Sequence, residues 1–171
     1  MSTDLEKIKT LARQRRDSDA LAMCEALAQS AATPAIDTLR TRAHVLTLSG
    51  NYELALKDRE AILTDDAAKL RDYYLAADCA LNSRRPERAA VFFETLLQKE
   101  ASEGGTWFRS AGHFLLAYAE MKLGEYEKAL RHLAEAEVAE PDCRMPVPED
   151  LNTLWTIERL RSEIMKRQRM G

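Results

Sequence analysis

Three histidines and three cysteines are the groups of this 171-residue chain best suited to ligate a metal, attack an electrophile or move a proton near neutral pH. Their spacing supports none of these roles. His44, His113 and His132 form no pair at a metal-ligand spacing, and no cysteine joins them in a local cluster. Cys24 and Cys79 lie in apolar stripes, where a small buried hydrophobe is the expected role. Cys143 lies in a proline-bearing linker and is expected to be accessible. An odd set without paired spacing reads as free thiols in a reducing compartment, with the cytoplasm as the default. Gly104-Gly105 is too short to cradle a phosphate, and no lysine follows it in P-loop fashion. The many carboxylates fall on helical faces beside cations, as in Glu125 with Lys128 and Glu127 with Arg131. The expectation is no catalytic residue, no metal and no cofactor.

The elements that would position any site are helices. Gly (6) and Pro (5) are scarce, charged residues make up 31%, and no window alternates apolar and polar for long, so nothing suggests a sheet. Lys+Arg 25 against Asp+Glu 28 gives a net charge of −3, without the basic footprint of a nucleic-acid binder. The basic clusters Arg13-Gln14-Arg15-Arg16 and Lys166-Arg167-Gln168-Arg169 read as solvated helix ends, where positive charge suits the helix dipole. Apolar runs such as Phe114-Leu115-Leu116-Ala117 are too short to span a bilayer, and the opening Met-Ser-Thr-Asp is too polar for a signal peptide.

Helices are expected over 3–15, 17–30, 35–49, 52–63, 66–83, 86–99, 106–123, 126–139 and 148–169. Thr33 before Pro34 fits a cap with proline in the first turn, and Gly50 and Gly124 stop the helices they follow. Glu149 and Asp150 are expected in the first turn of the last helix, whose apolar face would be Leu154, Ile157, Leu160 and Ile164. Trp107 and Trp155 read as core, with a partner anchor as the alternative.

The helices repeat. Gly50-Asn51-Tyr52-Glu53-Leu54-Ala55 returns as Arg84-Arg85-Pro86-Glu87-Arg88-Ala89 after 34 positions, and as Gly124-Glu125-Tyr126-Glu127-Lys128-Ala129 after 40 more. The loop around Ser102-Glu103-Gly104-Gly105 accounts for the longer step. A fixed period of this size means stacked helical hairpins. Helices that cross closely need small residues at the crossing, and Ala43, Ala77 and Ala117 share one phase while Ala55, Ala89 and Ala129 share another.

This pattern resembles the tetratricopeptide repeat, most closely at Leu116-Ala117, Gly124, Tyr126, Ala129, Leu133, Ala136 and Pro141. An earlier unit matches at Leu39, Ala43, Gly50, Tyr52, Ala55 and Ile62, and a middle one at Tyr73, Ala76-Ala77, Ala89, Phe93 and Leu96. The chain departs from the family where Arg84 replaces glycine and Arg59 an aromatic residue; His113 falls where the family has a large apolar residue and is expected to pack. The resemblance implies an all-α, right-handed helical-hairpin solenoid of about nine helices forming one domain over 1–171. It would comprise a degenerate hairpin at 1–33, repeats at 36–69, 70–103 and 106–141, and a capping helix at 148–169.

It also implies a non-enzymatic module that binds another protein or peptide on the concave face lined by the first helices. By phase, those positions are Asp37, Arg40, His44 and Thr47, then Arg71, Tyr74, Asp78 and Asn82, then Phe114, Tyr118, Met121 and Lys122. Aromatic residues with arginine are common interface chemistry. Asp78 in the middle disfavours an acidic chain terminus as ligand. The alternatives are a dedicated single-partner binder, such as a toxin-neutralising immunity protein or a secretion chaperone, and, in other classes, an RNA binder or an enzyme.

Overall fold

Residues 3–29 and 35–170 are described by the computed structural model. They form nine helices: α1 Thr3–Arg13, α2 Asp17–Gln29, α3 Ala35–Leu48, α4 Tyr52–Leu63, α5 Leu70–Asn82, α6 Pro86–Ser102, α7 Arg109–Leu123, α8 Tyr126–Ala139 and α9 Ile157–Met170. The break at 31–34, with Thr33 and Pro34, and the expected last residue of the second helix, Ser30, lie outside the described residues.

α5 starts later than the sequence suggests. Asp65 folds back on Ala67 N–H at 2.8 Å, and Asp72 then accepts Lys69 N–H at 2.9 Å, so the cap is Asp72 reaching back from the first turn. The larger correction is at the last element. Residues 148–156 are not helical: β1, Arg144–Val147, pairs antiparallel with β2, Asp150–Thr156, and α9 begins only at Ile157. Pro146 and Pro148 cannot donate within a helix, which favours extended backbone here. Asp150 receives Trp155 Nε1–H at 3.3 Å and Arg159 at 2.9 Å instead of capping a helix, and Leu154 stays exposed.

Five helices end in one motif. Arg15 (φ 61°), Gly50 (78°), Arg84 (58°), Gly104 (72°) and Gly124 (77°) are left-handed. At each, the next N–H reaches a carbonyl five residues back: Arg16 to Leu11 at 3.0 Å, Asn51 to Leu46 at 2.8 Å, Arg85 to Ala80 at 2.9 Å, Gly105 to Glu100 at 2.9 Å and Glu125 to Glu120 at 2.9 Å. The first hairpin therefore turns as the later repeats do. Arginine holds the left-handed turn in two places where glycine would be unstrained.

The chain divides into two compact units, Met1–Cys79 and Ala80–Gly171, with the boundary inside α5. In the first unit, α1, α2 and α3 pack together and α3 packs on α4. Its core contains Ile8, Ala12, Ala20, Cys24, Leu27 and Val45. Arg42 on α3 clasps the buried Asp58 of α4 through Nε (2.8 Å) and Nη2 (2.6 Å). In the second unit, α6, α7 and α8 pack in sequence, α9 packs on α8, and α7 also meets β1 and α9. The crossing alanines Ala43, Ala55, Ala77, Ala89, Ala117 and Ala129 are all 0% exposed. Among the described residues, no helix is long and apolar enough to cross a membrane.

Candidate functional site

The first unit contains an open cleft of about 420 Å³, built by three elements and a strut from a fourth. Helical spacing puts Asp37, Arg40 and His44 on one face of α3. Lys69, Arg71, Asp72 and Leu75 come from the entry into α5, Arg59 from α4 and Lys9 from α1.

Arg40 is fixed at its centre. Its Nε and Nη2 donate to the Asp72 carboxylate at 3.2 and 2.7 Å, its Nη1 to Asp37 at 3.2 Å, and its Nη2 to the Ala67 carbonyl at 2.8 Å. Burial works against ionisation of Asp72, but Arg40, the Lys69 N–H and the charge of Arg59 outweigh it and hold the carboxyl below its ordinary range. Arg40 is therefore committed to joining α3 to α5, not held out for a partner. His44 is exposed at the mouth. Loss of hydration, and then the charges of Arg59, Lys9, Arg13 and Arg71, keep its imidazole below the usual pKa.

Thr47 donates to the Ala43 carbonyl at 2.8 Å and lies 3.6 Å from Cys79 Sγ. Tyr74 and Asp78 are half-buried, as is Asn82 in the second unit. The cleft thus gathers Asp37, Arg40, His44 and Arg71 from the positions selected by repeat phase. Lys9, Arg59, Lys69 and Asp72 were missed, although Arg59 stood out as the residue replacing an aromatic.

In the second unit, three of the residues expected on a binding face are enclosed, while Asn82 and Lys122 are half-buried. Phe114 is 0% exposed, and Tyr118 and Met121 are 1% exposed, so none is open to a ligand in this structure. At Tyr118 the cover comes from the hairpin that replaces the expected start of the last helix. Glu149, at its turn, accepts from Tyr118 Oη and pairs with Lys122. Trp155 meets the Tyr118 ring edge-on at 6.1 Å, and Arg159 lies 4.2 Å over Trp155.

Trp107, expected in the core, is 87% exposed. Buried Glu100 holds the loop through Phe108 N–H at 2.6 Å, and Phe108 is the half-buried aromatic there. Cys143, expected to be accessible, is 3% exposed because the linker folds directly into β1.

The structure also joins two histidines that sequence spacing kept apart. His113 and His132 stack at 5.2 Å between centroids, with Nδ1 to Nδ1 at 3.0 Å, so one ring donates and the other accepts. Burial, and then the proximity of His132, push His113 down to about 4. Buried Glu120 lies 3.5 Å from His132 Nε2, and burial pushes its carboxyl up to about 7. Only the register of α7 on α8 creates this contact across 19 residues. Among the described residues, no group of three His, Cys, Asp or Glu side chains could hold a metal ion. Burial pushes all three thiols up, Cys24 to about 11, which disfavours a thiolate nucleophile.

No family model matches the sequence. No curated protein matches it either. Solved structures do. A MamA structure from AMB-1 is 14% identical, covers 98% of this chain and 83% of its own, and has a TM-score of 0.69. YrrB, a TPR protein with an unusual peptide-binding site, is 14% identical over 81% of this chain and 68% of its own, with a TM-score of 0.65. MamA from Desulfovibrio magneticus RS-1, from residue 41 to its end, is 16% identical over 82% and 78%, with a TM-score of 0.64. At these identities the likeness speaks to architecture, and the fold of this chain is that of the tetratricopeptide-repeat proteins it resembles in sequence pattern.

Proposed function

We propose that this chain is a non-catalytic protein-interaction module whose first helices receive a partner, with the cleft of the first unit as the entry point. The observation that carries this reading is the cleft itself, open and charged, whose lining includes Asp37, Arg40, His44 and Arg71 from the positions selected by repeat phase. The peptide-binding site described for YrrB, a similar fold, supports the same use. A reducing compartment such as the cytoplasm suits the three free thiols.

The test is capture of partners from a lysate of the source by the tagged protein, compared with a Lys69→Glu/Arg71→Glu variant. Both substituted residues are exposed, so the variant should melt as the parent does. The expected result is a protein retained by the parent and lost by the variant. A single stoichiometric, slowly dissociating partner indicates a dedicated binder, and several fast-exchanging ones an adaptor. Identical proteins on both baits, or none on either, would overturn the reading.

A further inference from the structure

Arg59 stands on α4 where the resembled family carries an aromatic residue. It is 3% exposed, lines the cleft, and its Nε–H has no hydrogen-bond acceptor. Buried polar groups are nearly always paired, and among the described residues the one side-chain partner of the Arg59 guanidinium is the weak acceptor Cys79 Sγ, so a donor without an acceptor on a residue that lines a cleft points to a ligand acceptor. The carboxylates of the cleft do not fill that role, because Asp37 and Asp72 are both bound to Arg40.

Outside the cluster of Arg40 with its two carboxylates, the charged residues of the cleft carry the same sign. The side chains of Lys69 and Arg71 form no ion pair among the described residues, and Lys9 is held by Glu6 at 2.8 Å. The charged neighbours felt by His44 are Arg59, Lys9, Arg13 and Arg71, all cations. Five cations against the two carboxylates Asp37 and Asp72 leave the cleft an excess of positive charge, and a concave site with such an excess raises the local concentration of the opposite charge.

Resting on the interaction reading above, we infer that this cleft is an anion site for the side-chain carboxylates of an acidic segment of the partner, with Arg59 donating from the base and Lys69 and Arg71 from the rim. Two features favour a run of carboxylates over a single small ion. The uncommitted donors extend from a buried base to an exposed rim, and about 420 Å³ admits several side chains. A nucleic acid is disfavoured by the chain's net charge of −3.

The experiment titrates the full chain, labelled with nitrogen-15, with an amidated hexaglutamate peptide while following the Arg59 Nε–H resonance. A saturable shift is expected, with none from amidated hexaglutamine. The Lys69→Glu/Arg71→Glu variant should weaken the peptide at least tenfold while melting normally. This rim variant keeps the test valid even where Arg59→Gln fails to fold. An unmoved Arg59 resonance, or equal binding of hexaglutamine, overturns the inference. An equal shift from free-acid hexaglutamine assigns recognition to the chain terminus, and an equal shift from inorganic phosphate reduces the cleft to a small-ion site; either overturns it too. If capture finds a rim-dependent partner while hexaglutamate leaves Arg59 unmoved, the anion site fails and the interaction reading stands.

Discussion

The first unit leaves the polar face of α3 and the start of α5 open, whereas the second covers its own α7 with the residues that follow the repeats. Phe114, Tyr118 and Met121 were selected by the same phase rule as Asp37, Arg40 and His44, yet they are buried, and Tyr118 is covered by Glu149 and Trp155 of the segment that follows the repeats. Repeat phase says which way a side chain points. It does not say whether the chain supplies its own occupant for that direction. Glu149, pairing with both Tyr118 and Lys122, acts here as that internal occupant.

The contrast makes its largest prediction at Tyr118. Tyr118→Ala removes a 1%-exposed aromatic and its contact with Trp155, and should destabilise the protein by about 3–5 kcal/mol. Arg71→Ala, at an exposed rim position of the first unit, should change stability by less than about 0.5 kcal/mol. Chemical denaturation of both variants checks the pair. A mild Tyr118→Ala would mean that the second unit is also open.

Acid sharpens the difference, because the buried carboxylates have opposite signs. Asp72, held below its ordinary range, contributes stability that is present above the unfolded value and lost as pH falls through the folded one. Glu120, raised to about 7, does the reverse: its contribution is complete below about 4.5 and is lost as pH rises to 7. His113, lowered to about 4, opposes Glu120 within the second unit, since its contribution is complete above about 6.5 and declines as pH falls toward 4. Glu120→Gln leaves the histidine alone, so the variant should lose stability between pH 6.5 and 4 more steeply than the parent. At pH 8 it should be more stable than the parent by about 2–3 kcal/mol. Melting temperatures across pH 4–8 read both effects, and parallel curves for parent and variant would remove the assigned role of Glu120.

The smallest effect lies in the shared turns. Arg84→Gly relieves a left-handed arginine and should stabilise by about 0.5–1 kcal/mol. Gly50→Ala should cost about 1 kcal/mol through backbone strain alone, because a Cβ there meets nothing within 4 Å. Equal melting of the two variants would show that the turn conformation is not under strain.

What could be read from the sequence was whatever recurs. The buried alanines and the turns at Gly50 and Gly124 repeat, so each confirms the others, and the helices from α3 to α8 follow from them. Features that occur once were harder to read. The stretch around Met145 to Trp155 pairs as strands over too few residues to show alternation, and its acidic start imitates a helix N-terminus. The His113–His132 contact depends on helix register, and Lys69 and Asp72 joined the cleft only because α5 begins later than its acidic residues suggest. Arg59 was visible as a departure from the pattern, but its burial beneath a cleft is a property of three dimensions.

The enclosed cysteines have a practical consequence. Cys24, Cys79 and Cys143 are buried, with thiols that resist ionisation, so at neutral pH an alkylating reagent must wait for each segment to open. Cys24 lies in the α1–α3 core, Cys79 in α5 and Cys143 at the entry to the hairpin. Pulsed alkylation of the natural sequence, read by peptide mass, therefore yields three local opening rates without introducing a label. A partner that seats on the first unit should slow modification of Cys79 while leaving Cys143 at its own pace.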